Sequence, residues 1–292
     1  MLAHVLDRVM PLEPRRLVFI TGYLGKQIEE WVQSEYDVES IFVEQPVMRG
    51  QTDAILRARD AADQDALILF PDMLFETDFG IISKSDSDVI AFVKEVPDPS
   101  AYGIAIAKND RVVRLVEKPE LPESNLAVVG IYYVRNMQDL YSAIVDQIER
   151  KISLKNEYFL ADAIQIMIDR GHKVITAPVT VWEDCGNDEA LLHTNRYLLQ
   201  TISDGDPRIE GSGVIEPSFV HPTATIESSI IGPFASIGPD AVIVKSIVQD
   251  SIIDRGARVE GAILGHSIVG KEAQVTGHAT SINVGDTSTV RI

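Results

Sequence analysis

The stretch Ile226-Glu227-Ser228-Ser229-Ile230-Ile231-Gly232-Pro233-Phe234-Ala235-Ser236-Ile237-Gly238-Pro239 lies within a longer run in which aliphatic residues recur every six positions. Val214, Val220 and Ile226 form one triplet and Ile231, Ile237 and Ile243 the next. Ile247, Ile253 and Val259 follow, then Ile263, Val269 and Val275. Successive triplets start 17, 16 and 16 residues apart. This nested period predicts a triangular solenoid, with three short flat faces per turn and one inward aliphatic per face. Gly232, Gly238 and Gly270 follow inward aliphatics, at corners where the backbone turns sharply or takes a positive φ, and Pro233 and Pro239 start the next faces. One rung buries little, so stability comes from stacking.

This pattern resembles the left-handed parallel β-helix of hexapeptide-repeat proteins over roughly residues 212–280. Many such proteins are acyltransferases with a His in a subunit cleft, and His221, His266 and His278 are available here. They read better as corner or rung residues, because the fold alone does not define a reaction. No long inserted loop is present to build an acyl-carrier cleft.

The chain has 292 residues and a formal charge of −18, from 26 basic and 44 acidic side chains. Such a charge argues against nucleic-acid partners, which require a basic face, and against anionic membranes. A phosphorylated substrate would need local Lys or Arg, or a divalent metal, to overcome the overall field. The single cysteine, Cys185, excludes a disulfide framework and a thiolate metal cluster, and it fits a reducing, cytoplasmic setting. The opening residues read as an amphipathic helix, so no signal peptide is expected, and the sequence contains no apolar run of membrane-spanning length.

Ahead of the solenoid, strand-like and helix-like runs alternate. Leu17–Thr21, Ile41–Glu44 and Ala66–Phe70 read as strands, separated by helices over Gly25–Gln33 and about Gln51–Ala62. Alternation of this kind predicts a parallel sheet covered by helices, with ligands at the carboxyl ends of strands. Val89–Val96, Gly103–Ala107, Val112–Val116 and Val128–Val134 extend it into a mixed sheet. Helices at Met137–Arg150 and Tyr158–Arg170 follow, then a strand at Val174–Pro178 and a helix capped by Asn187. The expected organisation is an α/β domain over 1–203, a polar linker over 204–211 and the β-helix over 212–292.

Three segments carry candidate chemistry: Phe70-Pro71-Asp72-Met73, Val116-Glu117-Lys118-Pro119 and Trp182-Glu183-Asp184-Cys185-Gly186-Asn187. Two strand-end carboxylates can share a Mg²⁺ ion with phosphate oxygens, and a strand-end Lys can neutralise a phosphate. Taken singly, a strand-end Asp is more often a turn former and Glu-Lys-Pro an exposed turn. In order, these segments resemble the sugar-1-phosphate nucleotidyltransferases, or nucleoside-diphosphate-sugar pyrophosphorylases. The match includes Glu44-Gln45-Pro46, Gly50-Gln51-Thr52-Asp53-Ala54, Ala101-Tyr102-Gly103, Gly130-Ile131-Tyr132, Asn156-Glu157 and Ala161-Asp162-Ala163-Ile164. With the β-helix and the ending Ile282-Asn283-Val284-Gly285-Asp286, the chain is similar to long-form glucose-1-phosphate thymidylyltransferases.

The resemblance implies a Rossmann-like mixed sheet and a reaction between a nucleoside triphosphate and a sugar-1-phosphate that gives a nucleoside-diphosphate sugar and pyrophosphate. Glucose-1-phosphate with dTTP or UTP is the implied pair. Asp72 and Asp184 would hold Mg²⁺, and Lys118 would contact the sugar phosphate. Gln45 and Gly50 would read the base, and Gly103, Glu117, Gly130 and Glu157 would line the sugar pocket. A homo-oligomer through the β-helix is compatible with this arrangement.

The family's opening strand, its Gly-x-Gly-Thr-Arg loop and its Pro-Lys-Pro segment have no counterpart here, and Met1–Val9 resembles the helix that follows them. The expectation is that about thirty residues precede Met1 in the natural enzyme. Without the loop, turnover should be impaired, since one transition-state group is typically worth about 10²–10³ in rate. The alternatives are a non-catalytic sugar-nucleotide-binding regulator and, further off, a hexapeptide acyltransferase. Cys185 as a nucleophile has no evident His partner.

Overall fold

A computed structural model of the protein describes residues 1–201 and 211–277. The chain divides into two compact units, Met1–Trp182 and Glu183–Ile292. The first begins with α1 (Leu2–Val9), β1 (Leu17–Thr21), α2 (Gly25–Glu35), β2 (Ser40–Glu44), α3 (Gln51–Arg57), β3 (Ala66–Leu69), β4 (Met73–Thr77) and α4 (Ile81–Lys84). It continues through β5 (Val89–Glu95), β6 (Ile104–Lys108), β7 (Arg111–Val116), β8 (Leu126–Val134), α5 (Met137–Glu149), α6 (Leu160–Asp169) and β9 (Val174–Asp184), whose last two residues open the second unit.

The continuous apolar run of β5 becomes a strand buried on both faces. Val89, Ala91 and Val93 pack with Leu140, Ile144, Leu160 and Ile164 of α5 and α6. Ile90 and Phe92 point the other way, into a core with Val5 of α1, Phe75, Phe79 and Val179. The seven-stranded sheet has the order β4-β9-β5-β8-β6-β7, with β3 also paired to β8. It is mixed: β5 runs parallel to β9 but antiparallel to β8, and β6 is antiparallel to β7.

The expected parallel alignment of the first three strands is only partly met. β1 and β2 are parallel and in register, with Phe19 stacked on Phe42 at 5.0 Å, but they form a sheet of their own. β3 instead runs antiparallel to β8. Strand–helix alternation constrains only neighbours in sequence, and nothing local marks the distant β3–β8 pairing. Among the described residues, β1 and β3 each have a strand partner on one side only. The helix after Gly50 is also shorter than expected: it ends at Arg57, and Ala58–Ala61 continue as turns.

In the second unit, α7 (Asp188–Thr201) follows the Asn187 cap, whose Oδ1 accepts the Ala190 N–H at 2.9 Å. The solenoid is a left-handed parallel β-helix of three four-stranded parallel sheets. The stacking corrects two inward positions. Register pairs Val214 with Ile231, Ile231 with Val248, and Val248 with Leu264. Val248 is fully buried, whereas Ile263 is 78% exposed and Ile247 shares its outward column. Tandem aliphatics at 247–248 and 263–264 make both frames look alike in sequence, and the ladder selects the frame that stacks on Ile231.

Gly232, at φ +96°, has no room for a Cβ, which would sit 2.0 Å from the Ile215 carbonyl oxygen. Other corners use non-glycine residues at positive φ, including Ser228, Asp240, Lys245 and Asp250. Buried serines satisfy corner amides: the Ser246 N–H donates to Ser229 Oγ at 3.0 Å, and the Ala262 N–H to Ser246 Oγ at 3.1 Å.

Within the second unit, side-chain bonds tie α7 to the solenoid. Arg196 of α7 makes a two-pronged ion pair with Asp250, and Ser236 Oγ donates to Asn195 Oδ1 at 2.6 Å. The helix is thereby bonded to the solenoid. The linker at 204–210, His278 and the Ile282–Asp286 ending lie outside the described residues.

The solenoid register makes a direct prediction. Ile243→Ala, at a fully buried inward position, should cost about 2–5 kcal/mol. Ile263→Ala, in the outward column, should stay within about 0.5 kcal/mol. Urea midpoints of the two variants check the assignment.

Candidate active site

Two clusters and the segment between them gather most of the candidate residues of the first unit. The first cluster lies at the carboxyl ends of β1 and β2. The Gln45 N–H donates to the Thr21 carbonyl at 2.7 Å, tying the two strand ends together. Gln45 Nε2 donates to the Gly50 carbonyl at 3.2 Å, so Gln45 and Gly50 are brought together. Gly50 has φ +104°, and a Cβ there would lie 2.5 Å from the Tyr158 backbone nitrogen and 2.6 Å from its oxygen. Its first role is therefore a close backbone crossing.

That crossing leads to the second cluster. The Tyr158 N–H donates to the Arg49 carbonyl at 3.0 Å, and the Thr52 N–H to the Tyr158 carbonyl at 3.1 Å. Beneath them, fully buried Thr52 and Gln147 bond each other at 2.9 Å, and Gln147 Nε2 reaches the Phe159 carbonyl at 2.9 Å. Lys155 and Asn156, both at positive φ, form the tip of a tight turn closed by reciprocal Leu154–Glu157 backbone bonds. Glu157 sits exposed at its foot.

Phe159 lies under the Lys118 ammonium, with Nζ 5.5 Å from the ring centre. Lys118 itself takes φ +42° and donates its N–H to the Tyr102 carbonyl at 3.1 Å. Its amine has no ion-pair partner among the described residues. A Cβ on Gly103 would lie 2.9 Å from Glu117 Oε2, so the missing side chain at 103 makes room for that carboxylate. The Tyr102 ring packs edge-on against Trp182 at 4.7 Å. Gly103, Glu117 and Lys118 are thus neighbours, and Glu117 and Asp162 line a cavity of about 470 Å³ with Leu115, Leu154 and Gln165.

Burial pushes the Glu117 carboxyl above its usual range; Lys118 pulls it back and Asp162 adds to the rise. Asp162 is raised by burial as well. The folded protein therefore holds the Glu117 proton more tightly than the unfolded chain does. Below the ordinary carboxylate range Glu117 costs nothing. As pH rises from the ordinary carboxylate range through its folded pKa a penalty develops. Glu117→Gln should raise the melting temperature at pH 7, and the gain should disappear below about pH 4. Thermal melts across that range check this.

Asp72 follows β3 in the turn leading to β4, exposed and with no hydrogen bond or ion pair among the described residues. Its turn is anchored by Gly130: the Phe70 N–H donates to the Gly130 carbonyl at 3.1 Å, and a Cβ at 130 would lie 2.8 Å from the Phe70 ring. Gly130 is therefore joined to the Asp72 turn. Asp184, in the second unit, accepts the Gly186 N–H on Oδ1 at 2.9 Å, and its Oδ2 has no hydrogen-bond partner among the described residues. No group of three or more His, Cys, Asp or Glu side chains is placed to hold a metal among the described residues. A Mg²⁺ ion on either carboxylate would complete its shell with phosphate oxygens and water, as this ion commonly does.

The remaining candidates are occupied locally. His221 Nδ1 bonds Thr223 Oγ1 at 2.9 Å, and His266 Nδ1 lies 2.9 Å from Asp250 Oδ2. Cys185 Sγ contacts Thr194 Oγ1 at 3.2 Å, and burial pushes its thiol pKa up, away from a nucleophile's needs.

Residues 1–201 match the nucleotidyl transferase family, and the chain belongs to it. The glucose-1-phosphate thymidylyltransferase of Streptomyces griseus is 28% identical over 298 residues, covering 89% of this chain and 81% of that protein. The bifunctional protein GlmU of Methanocaldococcus jannaschii is 29% identical over 296 residues, covering 92% and 70%. Among solved structures, a putative glucose-1-phosphate thymidylyltransferase from Bacillus anthracis superposes with a TM-score of 0.58 at 20% identity, over 70% of this chain and 84% of that one. At that identity the likeness concerns the fold.

Sequence reasoning did not assign roles to Asp53, Thr52, Gln147, Tyr158 or Phe159. Asp53 carried a signal: an acidic residue in the first turn of a helix that begins just past Gln45. Gln147 and Phe159 carried none, because their partners are distant in sequence.

Proposed function

We propose that the protein transfers a nucleotidyl group from a nucleoside triphosphate to a sugar-1-phosphate, with glucose-1-phosphate and UTP or dTTP as the substrates. The observation that carries this reading is Lys118. An ammonium with no ion-pair partner among the described residues is held by its own backbone and by Phe159 beside Glu117 and Gly103, which suits it to a sugar phosphate. A sugar-phosphate oxygen forms a new bond to the α-phosphorus as the bond to pyrophosphate breaks. Catalysis of this kind is mainly positioning and charge neutralisation. Gln45 and Gly50 receive the base, Glu117 accepts sugar hydroxyls, and Glu157 and Gly130 border the same region. Asp72 and Asp184 offer the oxygens for Mg²⁺. When bound, that ion neutralises phosphate charge.

The name and nearly full-length match of the Streptomyces griseus relative support the choice of glucose-1-phosphate. No helix among the described residues is long and apolar enough to cross a membrane, which agrees with a cytoplasmic enzyme. Self-association through the β-helix remains part of the proposal. Incubation with UTP or dTTP, glucose-1-phosphate and Mg²⁺ should release pyrophosphate and form the nucleoside-diphosphate sugar. No sugar nucleotide formed with any common triphosphate would refute the catalytic reading.

A second reading is a sugar-nucleotide-binding regulator. The two readings agree on the binding residues and differ in turnover.

A further inference from the structure

Gln45 is 7% exposed, and its side-chain amide is held at the nitrogen end only. Nε2 donates to the Gly50 carbonyl at 3.2 Å and to Asp53 Oδ2 at 2.9 Å. A carbonyl and a carboxylate can only accept, so turning the amide round would lose both bonds and set oxygen against oxygen. Asp53 is fixed in turn by Arg57 Nε at 3.1 Å, one helical turn further along α3. Gln45 Oε1 has no hydrogen-bond partner among the described residues. No buried side-chain oxygen among them is left unsatisfied, so Oε1 opens to solvent. The one part of Gln45 able to meet a ligand is therefore an acceptor.

We infer that Asp53 is a positioning residue for base selection: with the Gly50 carbonyl, it locks Gln45 to present its carbonyl oxygen, which favours a base carrying a ring N–H. Uracil and thymine offer such a donor. Cytosine places a lone pair at that ring nitrogen, which the Gln45 oxygen would repel. Asp53 acts only through Gln45. This inference rests on the nucleotide-binding reading above and deepens it.

The test is calorimetric titration of the full chain with UTP and with CTP, in the presence of Mg²⁺. Wild type should prefer UTP by about 10-fold or more, the scale of one well-placed hydrogen bond exchanged for a repulsion. In Asp53→Ala only the longer bond to the Gly50 carbonyl still holds the amide, and the UTP-to-CTP ratio should fall severalfold. Asp53→Asn should keep the preference, because its amide oxygen can still accept from Nε2. A merely structural role would weaken both nucleotides alike and leave the ratio unmoved. Should Asp53→Ala not fold, Arg57→Ala removes the brace on Asp53 and should still narrow the ratio severalfold. Asp53→Ala with the wild-type ratio overturns the inference, as does a wild type that binds UTP and CTP equally. Wild type binding neither nucleotide overturns the reading beneath it, and this inference with it.

Discussion

Gly50→Ala is expected to lower stability by about 3 kcal/mol or more and to weaken nucleotide binding by about 100-fold. Two costs add at this position. A φ of +104° is strained for any residue with a Cβ. The added Cβ would also press on Tyr158 backbone atoms at 2.5–2.6 Å, and backbone cannot swing aside as a side-chain tip can. Relief requires α3 to part from the 157–160 segment. That movement breaks the Thr52–Tyr158 bond and displaces the Gly50 carbonyl from Gln45. Gly270→Ala is the control. It also follows an inward aliphatic, but a Cβ there would meet no atom of the described residues within 4 Å and its φ is not positive, so stability should change by less than about 0.5 kcal/mol. Denaturant titrations and nucleotide binding of both variants check the pair.

Lys118→Ala should lower kcat/KM for the sugar phosphate by about 10²–10³ while leaving the melting temperature within a few degrees of wild type. The Lys118 side chain is exposed and its amine has no hydrogen-bond or ion-pair partner among the described residues, so its removal leaves no buried partner there unsatisfied. Its backbone bond to Tyr102 survives the substitution. Lys118→Arg should recover only part of the loss. A planar fork cannot occupy the place of a compact ammonium over Phe159 with the same geometry towards phosphate. Steady-state kinetics with varied sugar phosphate, paired with thermal melts, separate a phosphate-binding role from a folding role.

How much of this was legible before the structure differs from residue to residue. The solenoid was legible because its inward residues repeat along the chain: Ile231, Ile237 and Ile243 are all fully buried. The frame failed at Ile247 and Ile263, where the neighbouring Val248 and Leu264 satisfy the same spacing and only cross-rung pairing decides. β5 was legible as a buried strand, since Val89–Val93 is an unbroken apolar run. The antiparallel return of β3 against β8 was not, because that pairing joins residues with no shared local pattern.

The site divides in the same way. Gln45, Gly50, Glu117 and Lys118 stood in recognisable short motifs. What positions them did not: Phe159 beneath Lys118, Tyr158 against Gly50 and Asp53 behind Gln45 are all contacts between segments. Gly103 and Gly130 were marked for the sugar region by resemblance. The structure adds a packing reason for each, in Glu117 and in Phe70.

The most direct test of the central claim is the initial rate of sugar-nucleotide formation from UTP or dTTP and glucose-1-phosphate, measured for wild type and Lys118→Ala at the same Mg²⁺ concentration. Nucleotidyl transfer at this site predicts formation that depends on Mg²⁺ and falls at least about 10²-fold in the variant. A wild type that forms no sugar nucleotide, or a rate that Lys118→Ala leaves unchanged, would contradict it.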